Sequence, residues 1–446
     1  MLQPEYEAMP RAELQALQDE RLEALVRRVY QAVGFYRKQL DSAGVGADPI
    51  RGSKELARLP FTMKSDLRDN YPFGMLATDR DRLARVHASS GTTGTPVVAA
   101  YTRSDLDVFA EVMARGLAAA GGRAGSILHN AYGYGLFTGG LGFHAGAERL
   151  GMTVLPMSTG ATDRQVKFIM DLRPVGLACT PSYALTLAQE IQRRGVAPDD
   201  ISLEFALVGA EPWTETMRAE IERLLGARCL NVYGLSEIIG PGVAFECAEG
   251  RQGSHINEDH FLPEIVDPES GERLPEGSEG VLVITTLTKQ ALPLLRYWTG
   301  DVASLTSEPC ACGRTFVRMS PVRGRTDDML IVRGVNLYPT QIEEALGKVP
   351  ELTPSFEIVL SRDGVLDVLT LHVEVSEDFY RMIGQRALSD EVIESHERLR
   401  ELKARAIRVL RDSVGLHAEV VFLAPGEAPR SEGGKLSRVK DLREVR

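Results

Sequence analysis

The 446-residue sequence contains no apolar run near the roughly 20 residues that a membrane helix needs. It has no excess of positive charge either: 51 Lys and Arg stand against 62 Asp and Glu, a net charge of −11. The first absence speaks against a membrane-spanning chain. The second speaks against nucleic acid or an anionic membrane as partner, since both need a basic face, although a local basic patch can still hold a phosphate-bearing ligand. Cysteine is scarce, and five in a chain of this length cannot staple a disulfide framework. The stretch MLQPEYEAMPRAELQALQDERLEALVRRVY (1–30) is charged and amphipathic and lacks the apolar core of a signal peptide. These absences lead to the expectation of a cytoplasmic, enzyme-sized protein whose partners are small molecules. A further lack is local. HASSGTTGTPVVAAYT (87–102) reads almost like a phosphate loop, yet the lysine of a Walker A motif is missing and Thr95 stands in its place.

What is present is globular: hydrophobic residues make up 43% and charged residues 25% of the chain, which is too long for a single core. Helical spacing of Leu14, Leu17, Leu22, Leu25, Val26 and Val29 opens the chain. Strands and helices then alternate. GMTVLPM is a buried strand, and TDRQVKFIMDLRP is a helix capped by Thr162 or Asp163. VGLACTPSYALTLAQEIQRRG is strand, turn and helix closed by Gly195, and SLEFALVGAEPWTETMRAEIERLLGA repeats the unit. Such alternation predicts a parallel sheet with ligands at the carboxyl ends of its strands. From about residue 260 the pattern turns to hairpins, as in a small barrel. Beyond Asp327 a new unit begins: two strands around an Asp-Gly turn at 363–364, a long charged helix over about 388–413, a strand and a polar tail. The expected fold is therefore α/β. A large N-terminal domain (1–326) of parallel and mixed sheets with flanking helices and a small β-barrel-like part precedes a small mobile α+β domain (327–446).

Ser90, Gly91, Thr92, Thr93 and Gly94 supply hydroxyls and closely approachable backbone N–H groups to a triphosphate. Alone, the loop also reads as a solvent-exposed turn. VGAEPW, with Gly209, Ala210, Glu211 and Pro212, and VYGLSE, with Tyr233, Gly234, Ser236 and Glu237, each follow a strand and so fall on the same face. Glu237 is a hard oxygen ligand suited to Mg²⁺, Tyr233 offers an aromatic face to a base, and Asp301 of RYWTGD suits ribose hydroxyls. In HNAYGYGLFTGG, aromatic residues among glycines suit a flat apolar ring. His129 is the only cation of that block, which fits a monocarboxylic aryl acid.

SSGTTGTP, GAEPW, YGLSE, YWTGD, GRTDDMLIVRGVNLYP and the terminal GGK occur in the order seen in the acyl-adenylate-forming superfamily, which contains acyl-CoA synthetases, peptide-synthetase adenylation domains and luciferases. More narrowly, AYGYGLFTGGLGFHAGAERLG, YGLSEIIGPGVAFEC and RGVNLYPTQIEE resemble the phenylacetate–coenzyme A ligase family. The resemblance implies two half-reactions: carboxylate and ATP give acyl-AMP and pyrophosphate, then the coenzyme A thiol takes the acyl group and AMP leaves. It implies that Lys435 is the cation missing from the glycine-rich loop, though read alone Lys435 is one more surface lysine. It further implies that Arg325 contacts the adenylate, that Asp327 is the hinge, and that Gly334 leaves a path for the pantetheine thiol. Tyr132, Phe137, Ala210, Ile238, Gly240 and Pro241 would line the aryl-acid site. Relatives of this kind are often homodimers.

Cys247, His255, Cys310 and Cys312 form the Cys₃His set of a structural zinc site, with Gly313 completing a knuckle-like turn. The Cys-x-Cys spacing is tighter than the usual Cys-x₂-Cys, so four unlinked residues is the competing reading. Cys179 and Cys229 fall on buried strands and are expected to be inert. The expected cofactors are thus ATP, Mg²⁺, coenzyme A and structural Zn²⁺. Three functions stay open: a phenylacetate–coenzyme A ligase, an adenylating enzyme for another aryl acid such as a benzoate or hydroxyphenylacetate, and a catalytically silent nucleotide-binding protein.

Overall fold

The computed structural model describes residues 1–46, 50–89, 96–326, 329–333, 335–363, 366–384, 386–431 and 436–443. After a short helix Pro4–Glu7 come helices Arg11–Ala32 and Gly34–Ser42; the first of these two buries Leu14, Leu22, Leu25, Val26 and Val29, as the leucine spacing predicts. A hairpin follows, β1 (Leu83–Ala88) and β2 (Val98–Thr102). The main body alternates β3 (Ile127–Asn130), β4 (Thr153–Pro156), β5 (Gly176–Cys179), β6 (Phe205–Gly209) and β7 (Arg228–Leu235) with helices. It continues through β8 (Gly240–Phe245), β9 (Ser254–Ile256), β10 (Phe261–Val266), β11 (Gly280–Thr286), β12 (Tyr297–Ala303), β13 (Leu305–Thr306), β14 (Arg318–Met319) and β15 (Gly324–Arg325). Nine strands form one sheet in the order β13-β14-β9-β8-β7-β6-β5-β3-β4. β3 to β7 pair in parallel, and β8, β9, β14 and β13 extend them antiparallel. The part expected to be barrel-like is an antiparallel sheet, β10-β11-β12-β15, whose outer strands are not paired with each other among the described residues.

The C-terminal unit has its own core. Its hydrophobic cluster runs from Val332 to Phe422, whereas the main cluster of the body ends at Met319. Strands β16 (Leu330–Val332) and β17 (Val335–Leu337) pair as a hairpin. β18 (Leu352–Asp363), β19 (Leu366–Val375), β20 (Glu419–Leu423) and β21 (Val439–Asp441) form a sheet in the order β20-β19-β18-β21. The expected hinge Asp327 and Gly364 of the turn lie outside the described residues. No helix of the described residues is long and apolar enough to cross a membrane.

Two local expectations need correction. The helix Thr162–Leu172 is not capped by Thr162 or Asp163. Ala161 is its N-cap, in left-handed geometry (φ 49°), and the Thr162 hydroxyl lies 3.3 Å from that of Tyr183. The charged helix expected over 388–413 is two helices, Asp390–Ser395 and Glu397–Val414, broken where His396 is extended. Ile393 and Leu399 are both buried but six residues apart, so one straight helix would turn them to different faces. The break lets both enter the same core.

Candidate active site

The carboxyl ends of β3, β6 and β7 and the start of β8 build one wall. The last residue of β6 is Gly209, where a Cβ would sit 2.0 Å from the Val232 carbonyl of β7. Gly234 is required because a Cβ would sit 1.8 Å from the carbonyl oxygen of Gly240. Only hydrogen fits at either place, so the ends of β6 and β7 and the start of β8 can approach this closely. Ala210 then takes a left-handed backbone (φ 76°), an uncommon state for a residue with a Cβ and one that the fold must stabilise elsewhere.

Tyr132, buried and stacked on Phe143 (ring centroids 4.9 Å), donates its hydroxyl to the Gly209 carbonyl at 3.2 Å. The Tyr101 hydroxyl donates to the carbonyls of Ser236 (3.2 Å) and Ile239 (3.1 Å), and the Ser236 hydroxyl faces that of Thr138 at 3.5 Å. At Gly240 (φ 104°) a Cβ would meet Thr138 Cβ at 2.6 Å. The structure thus brings together Tyr132, Gly209, Ser236 and Gly240, with Ile238 buried between the last two. Pro241 follows, half-buried. Phe137, 53% exposed, stands outside this packing beside the exposed Leu136. His129 is buried against Gln165 (2.5 Å), and burial pushes its pKa down, so it offers no positive charge.

A second group gathers on β7, β12 and β15. The buried Asp301 carboxylate accepts the Tyr233 hydroxyl at 2.5 Å and Arg325 at 2.7 Å, and Arg325 also donates to the Thr299 carbonyl at 3.0 Å. Burial, with Asp301 next, raises the Tyr233 pKa well above its ordinary value, so the phenol stays a donor. Tyr233 therefore holds Asp301 with its hydroxyl, a role sequence reasoning did not assign.

Glu237 is buried, with the Lys64 ammonium 3.5 Å from its carboxylate. Beneath it lies Lys289, which sequence reasoning missed. Its Nζ donates to the carbonyls of Glu237 (3.2 Å) and Ile238 (2.5 Å) and sits 4.5 Å from the centre of the Tyr101 ring. Asp105, in the first turn of the helix Arg103–Ala120, accepts the N–H groups of Gln290 and Ala291 and so fixes the segment carrying this lysine. Burial pushes the Lys289 pKa from 10.5 down to about 8, opposed by Asp105 and Glu237. A single lysine in a TLTKQALP stretch carries no periodic or motif signal, which is why the sequence hid it.

Glu211 faces the small unit. One carboxylate oxygen accepts the Ser182 N–H, in the first turn of the helix Pro181–Arg193, at 2.7 Å. The other accepts the Leu436 N–H at 3.1 Å. The Thr214 hydroxyl donates to Glu343 at 2.6 Å, whose other oxygen pairs with Arg438 at 2.9 Å. Glu343 and Arg438 were also missed, because nothing in sequence shows that residues 214, 343 and 438 meet. Ser90, Gly91, Thr92, Thr93, Gly94, Gly334 and Lys435 lie outside the described residues. Cys179 and Cys229 are fully buried, and burial raises both thiols, as inert cysteines require.

Residues 18–288 match the model of the AMP-binding enzyme family, and 334–443 that of the AMP-binding enzyme C-terminal domain. The chain is 62% identical to the phenylacetate-coenzyme A ligase of Thermus thermophilus over 99% of this chain and 100% of that one. Among solved structures, 2-hydroxyisobutyryl-CoA ligase in the postadenylation state, in complex with 2-HIB-AMP, superposes with a TM-score of 0.89 at 27% identity, over 98% of this chain and 91% of that one. The same enzyme in the thioesterification state gives 0.71 at 29% identity, over 99% and 92%. The chain belongs to the AMP-binding, acyl-adenylate-forming enzyme family, as an AMP-forming acid–thiol ligase of the phenylacetate–coenzyme A ligase type.

Proposed function

We propose that the chain joins phenylacetate, or a close aryl acid, to coenzyme A. The carboxylate oxygen attacks the α-phosphorus of ATP and pyrophosphate leaves. The coenzyme A thiolate then attacks the acyl carbon and AMP leaves. The observation that carries this reading is the wall made by Tyr132, Gly209, Ser236, Ile238 and Gly240: one aromatic, one apolar and one hydroxyl side chain set among glycines at the carboxyl edge of a parallel sheet. His129 is neutral and the Lys289 ammonium is taken up by the Glu237 and Ile238 carbonyls, so neither is offered to a second carboxylate and a monocarboxylic acid suits the wall. The relative from Thermus is named for phenylacetate. Phe137, Ala210 and Pro241 complete the acid site at its rim.

Asp301, held by Tyr233 and Arg325, is assigned to the ribose, and residues 90–94 with Gly209–Pro212 and Gly234 to the nucleotide. Glu237 would hold Mg²⁺, which supplies charge neutralisation on the phosphates. Adenylation crowds carboxylate against triphosphate, so it needs a further cation where charge builds up. Lys435 is assigned that role, worth about 3 kcal/mol or more. In support, Glu211 of the GAEPW loop binds the N–H of Leu436, the next residue. Asp327 is assigned as the hinge between units 1–326 and 327–446, and Gly334 to the passage of the thiol. The cytoplasm, where ATP and coenzyme A are abundant, suits this chemistry.

A substrate panel tests the reading. Acid-dependent pyrophosphate release is expected to favour phenylacetate over benzoate and fatty acids, with thioester formed only when coenzyme A is present. Preference for a long aliphatic acid refutes the aryl-acid site. Lys435→Ala should abolish adenylation yet largely spare thioester formation from preformed acyl-AMP. Equal loss of both steps refutes the role given to Lys435.

A further inference from the structure

Cys247, His255, Cys310 and Cys312 take no part in the reaction above, yet the fold gathers them from three places. Cys247 lies two residues past β8, His255 is on β9, and Cys310 and Cys312 sit in the loop between β13 and β14. Their donor atoms all lie within 4.8 Å of one another. Cys247 Sγ is 3.6 Å from Cys310 Sγ, and Cys312 Sγ is 3.4 Å from His255 Nε2. A tetrahedral zinc with Zn–S of about 2.3 Å and Zn–N of about 2.0 Å spaces its ligands about 3.8 Å (S to S) and about 3.5 Å (S to N) apart. We propose that these four side chains bind one structural Zn²⁺ that ties the antiparallel edge of the main sheet to the N-terminal segment.

The surroundings suit that ion. His255 Nδ1 lies 3.3 Å from the Phe316 carbonyl, so its proton belongs there and Nε2 presents a lone pair to the sulfurs. The Gly250 N–H donates to Cys247 Sγ at 3.2 Å, lowering the charge of a bound thiolate. A Cβ at Gly250 would sit 2.3 Å from Cys310 Sγ and 3.1 Å from Cys247 Sγ, so the space between the sulfurs depends on glycine there. Gly313, left-handed at φ 78°, donates its N–H to the Cys310 carbonyl at 2.9 Å and turns the Cys-x-Cys pair inward. Cys247 and His255 are buried, whereas Cys310 and Cys312 are partly exposed, which leaves a way in for the ion. The other acidic and histidine cluster among the described residues, Glu111, Asp259 and His260, already holds a cation: Arg115 donates to Glu111 at 2.7 Å and to both Asp259 oxygens at 2.8 and 2.9 Å.

The site has a mechanical consequence. The knuckle runs directly into Arg314 and Thr315. Arg314 pairs with Glu7 at 2.6 Å, the Thr315 N–H donates to the Glu7 carbonyl at 3.0 Å, and the Thr315 hydroxyl donates to the Met9 carbonyl at 2.7 Å. Glu7 in turn accepts the N–H groups of Leu2 and Gln3, both at 2.8 Å. Holding residues 310–312 therefore holds the first ten residues against the body. Along the sheet, β8 runs from Gly240 of the acid site toward Cys247, about 20 Å away at strand rise. That separation makes the metal structural and not catalytic. On binding, the thiols lose their protons to solvent and the ion takes the thiolates.

The test uses the full-length protein purified from cells grown with added zinc. Elemental analysis should find one zinc and no iron per chain. X-ray absorption at the zinc edge should show three sulfurs at about 2.3 Å and one nitrogen at about 2.0 Å. Cys312→Ala should lose most of the zinc, and Gly250→Ala should weaken its retention against a chelator. Stripping the wild-type metal should lower the melting temperature, and added Zn²⁺ should restore it. Substoichiometric zinc, a Cys247–Cys310 disulfide in mass spectrometry, or an all-nitrogen and oxygen shell would each overturn the proposal. If the variants fail to accumulate, the wild-type metal content and absorption spectrum still decide it, and neither depends on the acid that the enzyme prefers.

Discussion

Replacing Lys289 by methionine separates folding from chemistry. The ammonium is buried, with its pKa pushed from 10.5 down to about 8. At about 1.4 kcal/mol for each pH unit, keeping it charged costs the native state about 3 kcal/mol at neutral pH. Methionine removes that cost and keeps a soft group over the Tyr101 ring. It also leaves the Glu237 and Ile238 carbonyls without their donor, at about 1–3 kcal/mol each. The two effects nearly cancel, so the melting temperature should change little. Function should not be spared, because the turn that aims the Glu237 carboxylate loses its anchor. Acid-dependent ATP–pyrophosphate exchange should fall about 10- to 100-fold in kcat/KM, equivalent to about 1.4–2.7 kcal/mol. The pH dependence has a definite sign. The native state releases this proton near 8 and the unfolded chain near 10.5, so the lysine's contribution to stability rises between those values and is lost as pH falls through 8. Its positioning role runs the other way, and wild-type exchange should decline above pH 8 while the protein stays folded. The Lys289→Met enzyme should lack that step. Exchange activity within about twofold of wild type, or a loss matched by a collapse in melting temperature, refutes the reasoning.

Three other expectations follow from single contacts. Gly234→Ala places a Cβ 1.8 Å from a backbone oxygen that cannot move aside, so the variant should be destabilised by at least about 3 kcal/mol in a denaturant titration, or fail to accumulate. Tyr233→Phe deletes the 2.5 Å donor to Asp301 and should raise the KM for ATP about tenfold, costing about 1–2 kcal/mol, with little change in the KM for the acid; an unchanged ATP KM would remove Asp301 from the nucleotide site. Glu343, its carboxyl pKa raised mainly by burial, links Thr214 to Arg438. Glu343→Ala breaks that link and should slow single-turnover adenylation several-fold more than thioester formation.

Several features could be read without coordinates because they are written in neighbouring residues. The alternation of β3 to β7 with helices follows from hydrophobic spacing and from breakers such as Pro174 and Gly195. The strand ends carrying Gly209 and Gly234 follow from it. The unit beyond residue 327 shows its own apolar strands. The split at His396 was not legible, since each half of that helix is well patterned and only a shared core demands the turn.

The sequence alone determined the strand–helix alternation of β3 to β7, the family motifs and the Cys₃His set proposed to hold zinc, since each rests on local spacing or on side-chain chemistry. Tertiary structure alone decided that Lys289 lies under Glu237, that Tyr233 serves Asp301, that Glu211 reaches the small unit and Glu343 reaches back to Thr214, and that Cys247 meets Cys310. These pairs are separated by tens to hundreds of residues, and only burial and a fixed sheet register bring such distant groups within bonding range.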